Sequence, residues 1–238
     1  MMATLGRNTR FTWLGHTTFL VQTPRGRRLL IDPWLEQNPK CPDRLKDPGK
    51  VDLVLITHGH FDHTGDAVAL LKRTRAQVVA IFEIASWLAS KGIETTVPMN
   101  KGGTVEVGGV KVTMVHALHS SSLAEGDRLL YGGEAAGYVV EVENGFRFYH
   151  AGDTAVFSDM ALIGELYRPE VAILPIGDHF TMGPREAAKA AELIGATHVI
   201  PMHFGTFDVL KGTPAALREH LRHRLIQVHE LAPGDTLE

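Results

Sequence analysis

The segment Thr57-His58-Gly59-His60-Phe61-Asp62-His63-Thr64 places three imidazoles and a carboxylate close together. Such donors form a nitrogen and oxygen ligand set suited to zinc, manganese or iron. In an extended stretch alternate residues face the same way, so His58 and His60 can meet one ion while a curl in the chain aims Asp62 and His63 at a second. Four ligands cannot fill two coordination shells, so further donors must come from other loops. Three stand where strands should end: His119 in His116-Ala117-Leu118-His119, Asp153 in His150-Ala151-Gly152-Asp153, and His203 in Pro201-Met202-His203. His116 competes with His119, which is preferred because it falls beyond the strand rather than within it. His16 and His179 lie in loops expected to open on the same sheet edge, where either could donate a proton to a leaving group or bind an oxyanion. A structural hydrogen-bonding role is the alternative for both. Asp32 is expected to accept from a ligand imidazole, as carboxylates behind metal-bound histidines do.

The elements that must position these residues follow from apolar patterning. Val51–Thr57 is an apolar, β-branched run of buried-strand length that ends where the histidines begin. Ahead of it, Phe11–Leu14, Thr17–Gln22 and Leu29–Ile31 read as a meander. Behind it come a helix over Asp66–Arg73, a strand over Gln77–Ile81, a helix over Glu83–Lys91 and a hairpin of Thr104–Val107 with Val110–Val115 about Gly108-Gly109. The second half repeats this grammar with strands over Tyr138–Val142, Phe146–Tyr149, Val171–Leu174, His198–Ile200 and Ile226–Glu230. Helices fall over Ser158–Tyr167, after Gly183-Pro184 and after Thr213-Pro214. Roughly a dozen strands and five helices, with no linker, predict one α/β domain over residues 1–238: a four-layer αββα sandwich of two mixed β-sheets. The stretch from Ser120 to Gly133 reads equally well as a substrate lid or a plain surface loop.

Composition narrows the function. The 238 residues are 44% hydrophobic and 21% charged, with a formal net charge of -3, which disfavours a disordered chain and a nucleic-acid partner. Cys41, the only cysteine, cannot form an internal disulfide, and a free surface or half-buried thiol is expected. Met1 to Phe11 has no apolar run resembling a leader, and no stretch of about 20 apolar residues occurs. A cytoplasmic protein without stable membrane association is the resulting expectation; oligomeric state, a homo-oligomer included, is left open. The remaining histidines get bland readings: His150 as a support for the Asp153 loop, and His198, His220, His223 and His229 without a role.

The motifs HTGDA (His63 to Ala67), ALHS (Ala117 to Ser120), GDT (Gly152 to Thr154) and MHFGTF (Met202 to Phe207), with WLGH at Trp13–His16 and IDPW at Ile31–Trp34, resemble those of the metallo-β-lactamase superfamily. They are most similar to its small metal-dependent hydrolases related to ascorbate-6-phosphate lactonase and N-acyl-phosphatidylethanolamine phospholipase D, and the likeness covers about residues 10 to 230. The resemblance implies that His58, His60 and His119 hold one metal, that Asp62, His63 and His203 hold the other, and that Asp153 bridges them. Gly65 is followed by Asp66 rather than a second glycine, which fits the lactonase-like subgroup better than the true β-lactamases.

Two divalent ions, Zn2+ in the first instance with Mn2+ or Fe2+ as alternatives, would hold a bridging hydroxide at neutral pH and polarise the group it attacks. Asp62 would orient the water. With neutral imidazoles the formal charge of two such ions, two carboxylates and one hydroxide is about +1, which favours a small anionic ester-type substrate of the phosphodiester or lactone class. Two rivals are a mononuclear iron enzyme that uses oxygen on the same fold and a non-catalytic metal-binding protein.

Overall fold

The computed structural model describes residues 5–238; residues 1–4, the start of the stretch read as lacking a leader, lie outside the described residues. Arg10–Trp13 (β1), Phe19–Gln22 (β2), Arg28–Ile31 (β3), Leu53–Leu55 (β4), Gln77–Ile81 (β5) and Thr96–Met99 (β6) form one sheet. A second contains Thr104–Val107 (β7) and Val110–His116 (β8). The hairpin of Ser122–Glu125 (β9) and Arg128–Tyr131 (β10) stands apart, and the second sheet resumes with Ala136–Glu141 (β11), Arg147–His150 (β12), Val171–Pro175 (β13), His198–Met202 (β14) and Gln227–Val228 (β15). Thr236–Leu237 (β16) returns to the first sheet beside β1. The orders are β16-β1-β2-β3-β4-β5-β6 and β15-β14-β13-β12-β11-β8-β7.

Helices Phe61–Thr64 (α1), Ala67–Thr74 (α2) and Phe82–Ser90 (α3) belong to the first half, and Met160–Tyr167 (α4), Pro184–Ile194 (α5) and Pro214–Leu221 (α6) to the second. Period-two alternation of apolar side chains explains the layers. Val140, Phe148 and Ile173 join the buried cluster that also takes in Phe11, Phe19 and Leu30 of the first sheet, with Leu71 and Ile84 of α2 and α3. Their neighbours Val139, Tyr149 and Ala172 point the other way, onto Ile163, Ala187, Ala191 and Leu217 of α4, α5 and α6. The architecture is the αββα sandwich of two mixed sheets that the patterning predicts.

Four details differ. The strand expected over Val51–Thr57 is confined to β4, because the Thr57 N–H leaves the ladder and donates to Asp32 Oδ1 at 2.8 Å. β6 carries Pro98, which lacks an N–H and is tolerated because β6 is an edge strand. The Ser120–Gly133 stretch is largely the hairpin β9–β10. Cys41 is buried in the first cluster at 5% exposure, and burial lifts its thiol to about 11, so it is neither a surface thiol nor a ready nucleophile.

Strand direction places the site. β3, β4 and β5 run parallel, and β1 shares their sense because it pairs antiparallel to β2, which pairs antiparallel to β3. Likewise β12, β13 and β14 run parallel, and β8 shares their sense through antiparallel β11. His16, Asp32, His58, His119, Asp153 and His203 therefore all follow the carboxyl ends of like-directed strands, the edge where open α/β sheets bind ligands.

Candidate metal centre

After β4 the chain runs extended through His58 to His60 and then makes the single helical turn α1, which carries Asp62 and His63. Close approach fixes this path: a Cβ on Gly59 would meet Ser122 O at 2.8 Å. Gly59 N donates to Ser121 Oγ at 3.1 Å, and Ser121 Oγ donates to Gly132 O at 2.9 Å, so the β9–β10 hairpin braces the ligand loop.

Three groups of ligand atoms each lie within 4.8 Å of one another: His58, His60 and His119; His16, Asp62, His63 and His203; and His58, His63 and Asp153. Asp153 Oδ2 is 3.0 Å from His203 Nε2, 3.4 Å from His63 Nε2 and 3.8 Å from His119 Nε2. The structure thus brings together all seven residues selected as ligands, with Asp153 between the two triads. His116 is excluded from them: its Nδ1 faces Lys101 Nζ at 3.1 Å and its ring meets Phe157.

Hydrogen bonds behind the donors orient them. Thr57 Oγ1 donates to Asp32 Oδ2 at 2.7 Å, so the His58 Nδ1–H at 3.1 Å donates to Thr57 and leaves His58 Nε2 with its lone pair, 3.0 Å from His60 Nδ1. His63 Nδ1 donates to Asp32 Oδ2 at 2.8 Å, which frees His63 Nε2. His150 Nδ1 accepts from Gly152 N at 3.2 Å while Nε2 donates to Thr17 O at 3.1 Å, tying the Asp153 loop to the start of β2. His16, Asp32 and His203 adopt φ of +57°, +48° and +56°, a left-handed conformation that non-glycine residues hold only where their surroundings enforce it.

Electrostatics and unmet bonding capacity fit a cation. Burial opposes charge on His63, yet Asp153 and Asp32 override it and raise its pKa well above the ordinary value. Burial would likewise lift Asp153, but His203 and His63 hold it well below the usual carboxylate range. Burial lowers His58, His60 and His119, keeping them neutral and able to ligate. His63 Nε2 and Asp153 Oδ1 are buried without a hydrogen-bond partner, an expensive state that a coordinated ion beside them would relieve.

His16 corrects the expectation of a substrate-facing group. It is fully buried, with Nε2 3.0 Å from Asp62 Oδ2 and Nδ1 3.0 Å from Thr206 Oγ1, so neither ring nitrogen is left for a substrate. Burial, then His203, lowers its pKa to about 4. Burial pushes Asp62 up, but the His16 hydrogen bond and the field of His63 prevail and bring it down to about 2. His179 belongs to none of the three groups; it is exposed, with its ring edge-on to Phe180 at 4.4 Å. A cavity of about 540 Å3 opens over His60, Asp62, His119, Asp153 and His203. Sequence reasoning missed Thr17, Thr57, Ser121 and Thr206 as supports; the polar residues flanking WLGH, the histidine cluster, ALHS and MHFGTF were the available signal.

Comparisons with known proteins point to one family. A family described as "Beta-lactamase superfamily domain" matches residues 27–204. A UPF0173 metal-dependent hydrolase of Koribacter versatilis is 55% identical over 227 residues, covering 95% of this chain and 97% of the relative. One of Rubrobacter xylanophilus is 54% identical, covering 96% of each. The solved structure of a metallo hydrolase from the archaeon Ignicoccus hospitalis superposes with a TM-score of 0.85 at 36% identity, covering 96% of this chain and 97% of that one.

Proposed function

The chain belongs to the β-lactamase superfamily and to its UPF0173 metal-dependent hydrolases, and from that premise we propose that it holds two divalent metal ions and cleaves a small ester-type bond of the phosphodiester or lactone class. The observation that carries this reading is the convergence of five histidines and two aspartates beneath one cavity, with buried ligand-type atoms left unpartnered among them. His58, His60 and His119 hold one ion, Asp62, His63 and His203 the other, and Asp153 lies between them. When bound, such ions, with zinc first and manganese or iron as alternatives, supply Lewis acidity to the scissile group and lower the pKa of water toward neutrality, giving a hydroxide nucleophile.

The chain's own residues do the rest. Asp62, ionised and held at Oδ2 by His16, has its other oxygen available to orient a water. Asp32 and Thr57 fix the ring orientations of His63 and His58. The bond formed is water oxygen to carbonyl carbon or phosphorus; the bond broken joins that atom to the leaving oxygen, which takes up a proton. His179, on the same sheet edge and beside Phe180, is the group we assign to return that proton. A small molecule is the fitting substrate, since the site lies in a cavity and the net charge of -3 offers no general phosphate-backbone surface. A cytoplasmic location without stable membrane association completes the reading; among the described residues no helix is long and apolar enough to cross a membrane.

Elemental analysis of the purified protein tests the core of this proposal. About two metals per chain are expected, falling to about one in Asp62→Ala/His203→Ala, with hydrolysis of bis-4-nitrophenyl phosphate or of a simple lactone above the free-metal background. One iron per chain in both proteins would overturn the binuclear reading and favour redox chemistry. Full metal loading without any hydrolysis would leave a metal-binding protein.

A further inference from the structure

The rim of the cavity differs sharply from its floor. Beyond the ligands and Ser120, its lining is Phe61, Phe180, Phe207 and Val209, and no lysine or arginine lines it. Phe61, Phe180 and Val209 are 56%, 55% and 43% exposed. Scattered exposed apolar residues need no explanation, but three aromatic rings gathered around one cavity do.

Phe180 is held there by unusual backbone. Asp178 and His179 are consecutive non-glycine residues at φ +65° and +60°, a strained pair that projects the next residue outward. Phe180 N donates to Asp178 O at 2.6 Å and Asp178 N to Met182 O at 3.0 Å, which closes the turn. Met182 N donates to Thr154 O at 3.1 Å, tying the turn to the loop of Asp153. Phe61 sits between His60 and Asp62 and meets Trp34 edge-on at 5.8 Å, while Phe207 packs on Trp34 at 5.9 Å and on His16 at 5.5 Å. Phe61, Phe207 and Val209 therefore come from the loops that carry His60, Asp62 and His203, and Phe180 from the turn after β13 that is bonded to the Asp153 loop.

We infer that the site takes a substrate whose reacting group carries an uncharged apolar arm, aryl or branched alkyl, and that Phe61, Phe180, Phe207 and Val209 form the subsite for that arm. This rests on the hydrolase reading only in assigning the reacting group to the ions. Negative charge on the reacting group is answered at the floor. Negative charge on the arm is not: it meets the electron-rich faces of aromatic rings with no counter-ion, and loses water without replacement. The cavity volume lies in the ordinary range for small-molecule pockets and accommodates a phenyl-sized arm.

Titration calorimetry of the metal-loaded protein with three non-hydrolysable anions tests the arm apart from turnover. Phenylphosphonate is expected to bind at least about 10-fold tighter than methylphosphonate and tighter than 4-carboxyphenylphosphonate, whose rigid carboxylate cannot fold back onto the metals. In Phe180→Ala, and independently in Phe61→Ala, the ratio of phenyl to methyl affinities should fall toward one. Equal affinities for phenyl and methyl, or preference for the carboxylated ring, would overturn the subsite. If the phenyl preference holds while no ester, lactone or phosphodiester is cleaved, the subsite stands and the hydrolase reading fails.

Discussion

His16 Nε2 donates to Asp62 Oδ2 at 3.0 Å from a fully buried ring whose Nδ1 accepts from the Thr206 hydroxyl at 3.0 Å. The Thr206–His16–Asp62 chain links the loop after β14 to α1, joining both sheets beneath one carboxylate. Burial keeps the imidazole neutral, so it acts as a fixed donor rather than an acid. His16→Ala should lower affinity for the Asp62 metal by about 10- to 100-fold while far-ultraviolet circular dichroism stays unchanged. Metal titration by calorimetry reads the effect; an unchanged affinity would reduce His16 to packing.

Metal removal should be legible as stability. The unpartnered His63 Nε2 and Asp153 Oδ1 are buried polar groups whose bonding capacity a bound ion would meet only in the folded chain. Free metal at about 100 times its Kd stabilises by about 2.7 kcal/mol, and a chain of this size shifts by about 2–4 °C per kcal/mol. Each of the two sites contributes that much, so chelation should lower Tm by about 10–20 °C, reversed by added Zn2+ or Mn2+. In Asp62→Ala/His203→Ala the chelation-induced drop should shrink by about half.

Much of this site was legible because its chemistry is local in sequence. His58, His60, Asp62 and His63 advertise themselves by spacing, and His119, Asp153 and His203 each follow a recognisable strand. What stayed hidden depends on contacts far apart along the chain. The burial of His16 is set partly by Thr206, 190 positions away. The apolar rim is invisible because Phe61, Phe180 and the pair Phe207 and Val209 come from three separate loops. Left-handed backbone at His16, Asp32 and His203 bears no glycine to signal it. The β9–β10 hairpin escaped notice because Leu129 and Tyr131 are exposed and only Leu123, with the partly buried Leu130 opposite it, reaches the core, so the alternation that marks strands is weak.

Gly152→Ala probes how tightly the Asp153 loop is seated. Gly152 has φ +62°, and a Cβ there would lie 2.8 Å from Ala136 O and 2.9 Å from Thr57 Cβ. One obstacle is backbone and the other anchors the ligand loop, so neither moves freely. The substitution should destabilise by about 2–4 kcal/mol, combining left-handed strain with the clash, and should reduce metal binding by displacing Asp153. Thermal melting and metal content measured together check this; a Tm within 2 °C of the parent would show that the loop is more plastic than its packing implies.

At the amino end of β14, away from the metal centre, His198 Nδ1 and His229 Nε2 are 2.9 Å apart, an arrangement that needs one ring to donate and the other to accept. Burial, followed by the neighbouring His198, lowers the pKa of His229 to about 4, and burial lowers that of His198. A histidine with a depressed folded-state pKa binds its proton more weakly in the fold than in the unfolded chain, where the value is about 6.5. Its contribution is thus fully present above about pH 6.5 and is lost as pH falls toward about 4. Because His229 is only half-buried, solvent screening reduces the loss to about 1 kcal/mol. Acid also displaces metal, so the comparison is between slopes at saturating metal: His229→Gln should give a flatter dependence of Tm on pH between about 6.5 and 4.5 than the parent. Identical slopes in the two proteins would assign all of the acid sensitivity to the metal centre and none to this pair.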